Sequence, residues 1–188
     1  MFVVFEGVDA SGKTTVARLV ANHLQAVYYA TPPKEFLSRR EEVDLNASAD
    51  AHYRFYLDGI RRASVEIEEF LSAGKTVISD RYWATTYAYH VVMGASVSKG
   101  DFEGIVLPTM TVFLTASPEV QACRFALRGM SAGDRRLLNQ QEDLSRELKK
   151  LLMEEEKRLV TVDTSSLTLS QVTARVLAEI QILRQHHV

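Results

Sequence analysis

The chain has 188 residues, 46% hydrophobic and 24% charged, enough for one ordinary domain with a buried core and too few for a second catalytic domain. A formal net charge of −2 and a pI near 6.2 give no sign of a nucleic-acid or anionic-membrane surface as the main partner. The single cysteine excludes an intrachain disulfide, and the opening MFVVFE is too short for a signal peptide and lacks a basic leader, so a cytosolic enzyme is expected.

Short β-branched runs alternate with long helical periods from one end to the other. A strand is expected over 2–6 (FVVFE), followed by the glycine-bearing stretch 5–15 (FEGVDASGKTT) and then a helical period through Val16, Leu19, Val20 and Leu24. A second strand is expected over 26–30 (AVYYA). Tyr53, Leu57, Ile60, Ser64, Ile67 and Leu71 recur at spacings of three and four, which predicts one long helix over 49–73. Strands follow over 75–79 (KTVIS) and 110–115 (MTVFLT). The segment PEVQACRFAL reads as a turn of amphipathic helix with Cys123 as a packed thiol. Leu144, Leu148, Leu151 and Leu152 predict a helix over 139–157, and 158–162 (RLVTV) a fifth strand. A capping box from Thr168 to Gln171 opens a last helix with Leu169, Val172, Val176, Ile180 and Leu183 along one face. Parallel strands need right-handed crossovers, so the expected class is α/β: a three-layer, doubly wound, five-stranded parallel sheet with its site at the strands' C-terminal ends, and the GVDASGKT loop after its first strand makes it the P-loop NTPase type.

Gly7 to Thr14 matches G-x-x-x-x-G-K-[ST] between an expected strand and an expected helix. Gly7 and Gly12 let backbone N–H groups curl around a phosphate, the helix start adds its positive end, Lys13 reaches the β and γ oxygens, and the Thr14 hydroxyl ligates magnesium. Lys13 is expected to be exposed in this loop. A GTP-binding switch would carry the same cradle, together with a D-x-x-G after a strand and an N-K-x-D for guanine. DFEG at 101–104 fits the first only formally, since it follows the loop-like MGASVSKG, and no N-K-x-D occurs.

The segment SDRYWATTYAYH, 79–90, follows the third expected strand. Asp80-Arg81-Tyr82 with Thr85, Ala88 and Tyr89 resembles the D-R-Y-x-x-S-x-x-A-Y-Q element of the thymidylate kinase family, and FEGVDASGKTT resembles that family's P-loop. The likeness runs over the whole chain, including FLTASPEVQACR at 113–124 and an arginine-bearing lid at about 128–136. DASGKTT, TPP and DRYW look most like the mitochondrial type of UMP/CMP kinase within that family.

The resemblance implies a single nucleoside monophosphate kinase domain over 1–188. It would move the γ-phosphoryl group of ATP, with Mg2+, to a pyrimidine monophosphate, most readily dTMP, with CMP, UMP and their deoxy forms as the competing set. Gly7, Ala10, Ser11, Gly12, Lys13, Thr14, Thr15 and Arg124 would hold ATP, and Thr14 and Asp80 the metal shell. Asp9 would face the acceptor's sugar and Arg81 would clamp its phosphate, a role suited to a guanidinium fork. Of Phe55 and Tyr56 on the long helix, one can face the cleft as a stacking platform, and spacing to Asp80 favours Tyr56. Tyr89 would exclude a 2′-hydroxyl, with Thr86 and His90 near the base edge. Two departures fall around the acceptor: the family's Arg-Glu-Pro is Thr31-Pro32-Pro33 here, leaving Lys34 and Arg39 as phosphate contacts, and its glutamine is His90. Ala10 and Ser11 supply no cation to the moving group, so Arg128, Arg135 or Arg136 of the lid must. A homodimer is implied, without nucleic acid or membrane as partner. A nucleoside kinase and a non-catalytic nucleotide switch are the rival readings.

Overall fold

The computed structural model describes residues 1–136 and 138–185; Leu137, His186, His187 and Val188, which the single-domain expectation over 1–188 includes, lie outside the described residues. Five strands form one parallel sheet in the order β2-β3-β1-β4-β5, with β1 Phe2–Glu6, β2 Val27–Ala30, β3 Val77–Asp80, β4 Met110–Thr115 and β5 Leu159–Asp163. Every residue of β1 is buried, as a central strand covered on both faces requires. Its side chains alternate between the two layers of the core. Phe2 and Val4 pack with α3 (Ala49–Ser72), α4 (Trp83–Val92) and α7 (Gln141–Glu155), whereas Val3 and Phe5 pack with α1 (Lys13–Leu24) and α8 (Leu169–Gln185).

Helix limits follow local chemistry. The Ser48 side chain accepts from Ala51 N–H to start α3, and Thr168 and Gln171 exchange the two bonds of the expected capping box. Along α8, Val172, Val176, Ile180 and Leu183 are buried, but Leu169 is exposed at the edge of a cleft. Asp101 and Phe102 of DFEG end a 3-10 turn, Lys99–Phe102, where the Asp101 carboxylate accepts from the Tyr53 hydroxyl, and the element before this turn is a helix and not a strand.

One helix goes unannounced by the sequence, and one expectation fails. Helix α2, Leu37–Asn46, has a polar sequence with only Asp44 buried, so no apolar period announces it. Cys123 lies on α5 (Pro118–Arg128), whose one buried residue is Phe125; the thiol is exposed rather than packed. The shorter α6, Ala132–Arg136, follows α5.

Candidate active site

The register sets the site. Phe5 of β1 pairs with Asp80 at the end of β3, and Glu6 with Phe113 of β4, so the loop after β1 emerges between two strand ends. Gly7 has φ +144°, and a Cβ there would lie 2.2 Å from the Leu114 carbonyl oxygen, a contact only glycine avoids. Gly12, at φ +98°, turns the loop into α1. Lys13 is only 4% exposed, against the expected exposure, because the loop folds over it: Nζ donates to Val8 O at 2.6 Å and Ser11 Oγ at 3.4 Å. Burial, reinforced by Arg81, pushes its ammonium down to about 7.

A cleft of about 970 Å3 opens over this loop, lined among others by Ala10, Ser11, Gly12, Lys13, Thr14, Thr15, Arg124 and Arg128. Arg124 braces the loop from α5, donating to Ala10 O and Thr164 Oγ1, each at 2.9 Å. The Thr164 hydroxyl also lies 3.0 Å from Ser11 O. Thr164 carries no motif that sequence reasoning could find.

Asp80 faces α1 across the loop. Its Oδ2 accepts from Thr14 Oγ1 at 2.5 Å and from the Tyr28 hydroxyl at 3.1 Å, and Arg18 lies 5.0 Å over the Tyr28 ring. Among the described residues no group of three or more His, Cys, Asp or Glu could hold a metal ion. The Thr14 hydroxyl with the Asp80 carboxylate fits a hard divalent cation that takes most ligands from water and nucleotide phosphates.

Glu6 is the buried anchor of the D-R-Y element. Its carboxylate accepts from the N–H groups of Tyr82 at 3.1 Å and Thr85 at 3.2 Å, and from the Thr85 hydroxyl. It therefore caps the first turn of α4 from a strand. Burial raises the Glu6 carboxyl. Arg81, at φ +67°, donates to Asp9 and to Gly7 O at 3.3 Å. Burial alone would raise the Asp9 carboxyl, but Arg81, with Lys13 and Arg128 behind it, holds it below the usual carboxylate range. The residues expected at the acceptor's sugar and phosphate are thus paired with each other.

Asp9 and Arg81 also line a second, smaller cavity. Tyr56, Thr86, Tyr89 and His90 are on its wall, as are Thr31, Arg40 and His52. Phe55 instead packs edge-on against Phe36 at 5.3 Å. Lys34 and Arg39 are exposed and line neither cavity; Arg39 lies 5.9 Å over the Phe55 ring. The basic residue that α2 turns inward is Arg40, whose Nε donates to the Tyr56 hydroxyl at 3.1 Å and lies 3.5 Å from Asp44. Without a legible α2, the phase that separates Arg39 from Arg40 could not be read. His90 lines the cavity, yet both ring nitrogens meet protein atoms: Nδ1 lies 2.5 Å from Thr86 O and Nε2 2.7 Å from His52 Nδ1.

The three arginines expected in a lid diverge. Arg128 lines the large cleft beside its own Phe125 ring, 5.1 Å away, and its charge reaches Asp9. Arg135 is exposed and donates to Met130 O at 3.2 Å. Arg136 donates to Val43 O at 3.3 Å, Asp44 O at 2.7 Å and Ala47 O, so it caps the C-terminus of α2 rather than reaching the loop after β1.

Comparison with known proteins agrees with this geometry. A thymidylate kinase family model matches residues 5–176. A probable thymidylate kinase of Pyrobaculum aerophilum is 31% identical over 68% of this chain and 71% of its own length. One of Pyrobaculum calidifontis is 32% identical over 63% of this chain and 65% of its own length. The solved thymidylate kinase of Candida albicans superposes with a TM-score of 0.84 over 98% of this chain and 92% of that one; at 20% identity it speaks for the fold. A family model matched from the first strand into the last helix, on a parallel sheet that carries the nucleotide cradle and the D-R-Y element side by side, places the chain in the thymidylate kinase family of nucleotide kinases.

Proposed function

We propose that this chain transfers the γ-phosphoryl group of ATP to a pyrimidine nucleoside monophosphate, with dTMP preferred. The observation that carries the reading is that Asp9 and Arg81 line both cavities, so a donor in the larger and an acceptor in the smaller would meet at one half-buried guanidinium. Lys13, Arg81 and Arg128 would neutralise charge on the transferring group, and the work of the site is positioning rather than covalent catalysis. Thr14 and Asp80 would hold a magnesium ion, which would supply positive charge to offset that of the donor phosphates. Tyr56 would stack the base, and Arg40 takes the place first given to Lys34 and Arg39 as the α2 cation near the acceptor.

The names of the relatives support dTMP. Thr31-Pro32-Pro33 and His90 resemble the UMP/CMP branch and supply the competing acceptors. A homodimer, implied by the family likeness, belongs to the same reading, as do a cytosolic setting and small molecules rather than nucleic acid or membrane as partners. No described helix is long and apolar enough to cross a membrane. A panel of nucleosides and monophosphates with ATP and Mg2+ tests the proposal. The highest kcat/KM is expected for dTMP; a higher value for CMP or UMP moves the acceptor to the other branch. Transfer to nucleosides alone, or binding of ATP without any transfer, would overturn the reading.

A further inference from the structure

At the wall of the acceptor cavity three buried side chains from three helices make a continuous chain. Asp44 of α2 meets His52 of α3, Oδ1 to Nε2 at 3.2 Å; His52 Nδ1 meets His90 Nε2 of α4 at 2.7 Å; His90 Nδ1 meets the Thr86 carbonyl at 2.5 Å. His52 is 2% exposed and His90 1%. The protons of this chain can be counted. A carbonyl only accepts, so His90 Nδ1 carries a proton. The His–His contact needs one proton between its two nitrogens. Asp44 Oδ1 already accepts from the Tyr56 hydroxyl at 2.7 Å, and Arg40 lies 3.5 Å from Oδ2, so Asp44 is a carboxylate and the proton between it and His52 sits on nitrogen. That makes three ring protons on two imidazoles, one more than two neutral rings hold.

We propose that His52 is a positioning residue of the acceptor pocket: it carries both ring protons, gives one hydrogen bond to Asp44 and the other to His90 Nε2, and so leaves His90 no ring nitrogen for the base. The charge belongs on His52 because its neighbour is the Asp44 carboxylate, whereas His90 faces a neutral carbonyl and feels Arg136. Burial drives the His90 imidazolium down to about 3, and the bonds from His52 and Tyr56 outweigh burial to hold the Asp44 carboxyl below its usual range. Tyr56 and Tyr89 both stack with the His52 ring, with centroids at 4.7 and 6.0 Å and interplanar angles of 27° and 11°, so the same imidazole also packs against two rings of the cavity wall. A pocket built this way reads the base at His90 by shape, since no donor or acceptor there is left to be unpaired by the wrong base. This role rests on the smaller cavity being the acceptor site.

The test has two parts. Long-range 1H–15N spectra of the ligand-free protein, assigned with His52→Asn and His90→Gln, should show His52 protonated on both nitrogens and His90 neutral with its proton on Nδ1. A singly protonated His52 or a doubly protonated His90 overturns the proposal, whether or not any variant is active. In turnover assays, His52→Leu removes the donor to His90 and should change the dTMP to dCMP ratio of kcat/KM by about fivefold or more, whereas His52→Asn, whose amide can replace Nδ1–H, should stay within about twofold. Equal ratios in both variants, or equal changes in both, would mean that His52 only fills space. If the parent protein phosphorylates no monophosphate, the acceptor assignment falls while the spectra still judge the proton chain.

Discussion

The Thr14 hydroxyl and the Asp80 carboxylate, 66 positions apart, share a hydrogen bond of 2.5 Å across the mouth of the nucleotide cradle. One residue lies in the first turn of α1 and the other closes β3, so sheet register rather than a loop sets their separation. Because the Thr14 and Tyr28 hydroxyls both donate to Oδ2, the carboxylate is oriented before any ligand arrives. Asp80→Asn is expected to lower kcat by about a hundredfold or more and to raise the magnesium concentration needed for half-maximal rate. Titration of Mn2+ into the nucleotide complex, followed by electron paramagnetic resonance, should show the weaker metal site directly; unchanged metal affinity would separate Asp80 from the metal.

Lys13 carries a proton linkage. With its ammonium pushed down to about 7 in the empty protein, it is mostly neutral at pH 8 and charged once phosphate anions surround it. Binding of ADP at pH 8 should therefore take up protons, and the uptake should shrink at pH 6, where Lys13 is already charged. Calorimetry in buffers of different ionisation enthalpy measures this. Lys13→Met should abolish both the uptake at pH 8 and phosphoryl transfer; since Lys13 is buried, some loss of thermal stability is expected as well.

The lid arginines should separate in kinetics as they do in space. Arg128→Ala is expected to lower kcat by about a hundredfold with a smaller change in KM, since its charge acts mainly on the transition state. Arg135→Ala should stay within a few-fold of the parent. Arg136→Ala removes the cap on α2 and should act mainly on the acceptor KM, because α2 carries Arg40 and Asp44. Equal effects from all three would mean that the catalytic charge comes from elsewhere.

Tyr89 stands on the cavity wall beside Thr86 and His90. If it bars a 2′-hydroxyl, Tyr89→Ala should raise activity on a ribonucleotide relative to its deoxy counterpart by about tenfold, a gap of about 1.4 kcal/mol in transition-state binding. An unchanged ratio removes the gate from Tyr89.

Glu156, at the end of α7, is pushed up to about 7 by burial, with the Thr111 hydroxyl and Trp83 indole lowering it less than burial and Glu6 together raise it. The folded protein thus binds this proton more tightly than the unfolded chain. The stabilisation is complete below the ordinary carboxyl value and is lost as pH rises through about 7. Glu156→Gln should remove that pH dependence, raising stability at pH 8 by about 3 kcal/mol relative to the parent while leaving pH 4 nearly unchanged. Thermal denaturation at the two pH values measures the difference.

What the sequence determined by itself are the features written in neighbouring residues. The glycines of the cradle, the alternation in FVVFE, the three-and-four spacing of α3 and the Thr168–Gln171 box are all local, because backbone geometry imposes their periods directly. Their order then limits the sheet to few topologies, and the D-R-Y element falls beside the cradle as a consequence. Tertiary structure decided which of two adjacent side chains of α2 turns inward: Arg40 over Arg39 follows from how α2 packs against α3, whereas Tyr56 over Phe55 was already favoured by spacing along α3. It also decided every pairing across the fold. Arg81 takes Asp9, Glu6 takes the start of α4, and His52 joins Asp44 to His90. Lys13 is buried and Cys123 exposed for the same reason: burial depends on what packs from elsewhere in the chain, and no local period encodes that neighbour.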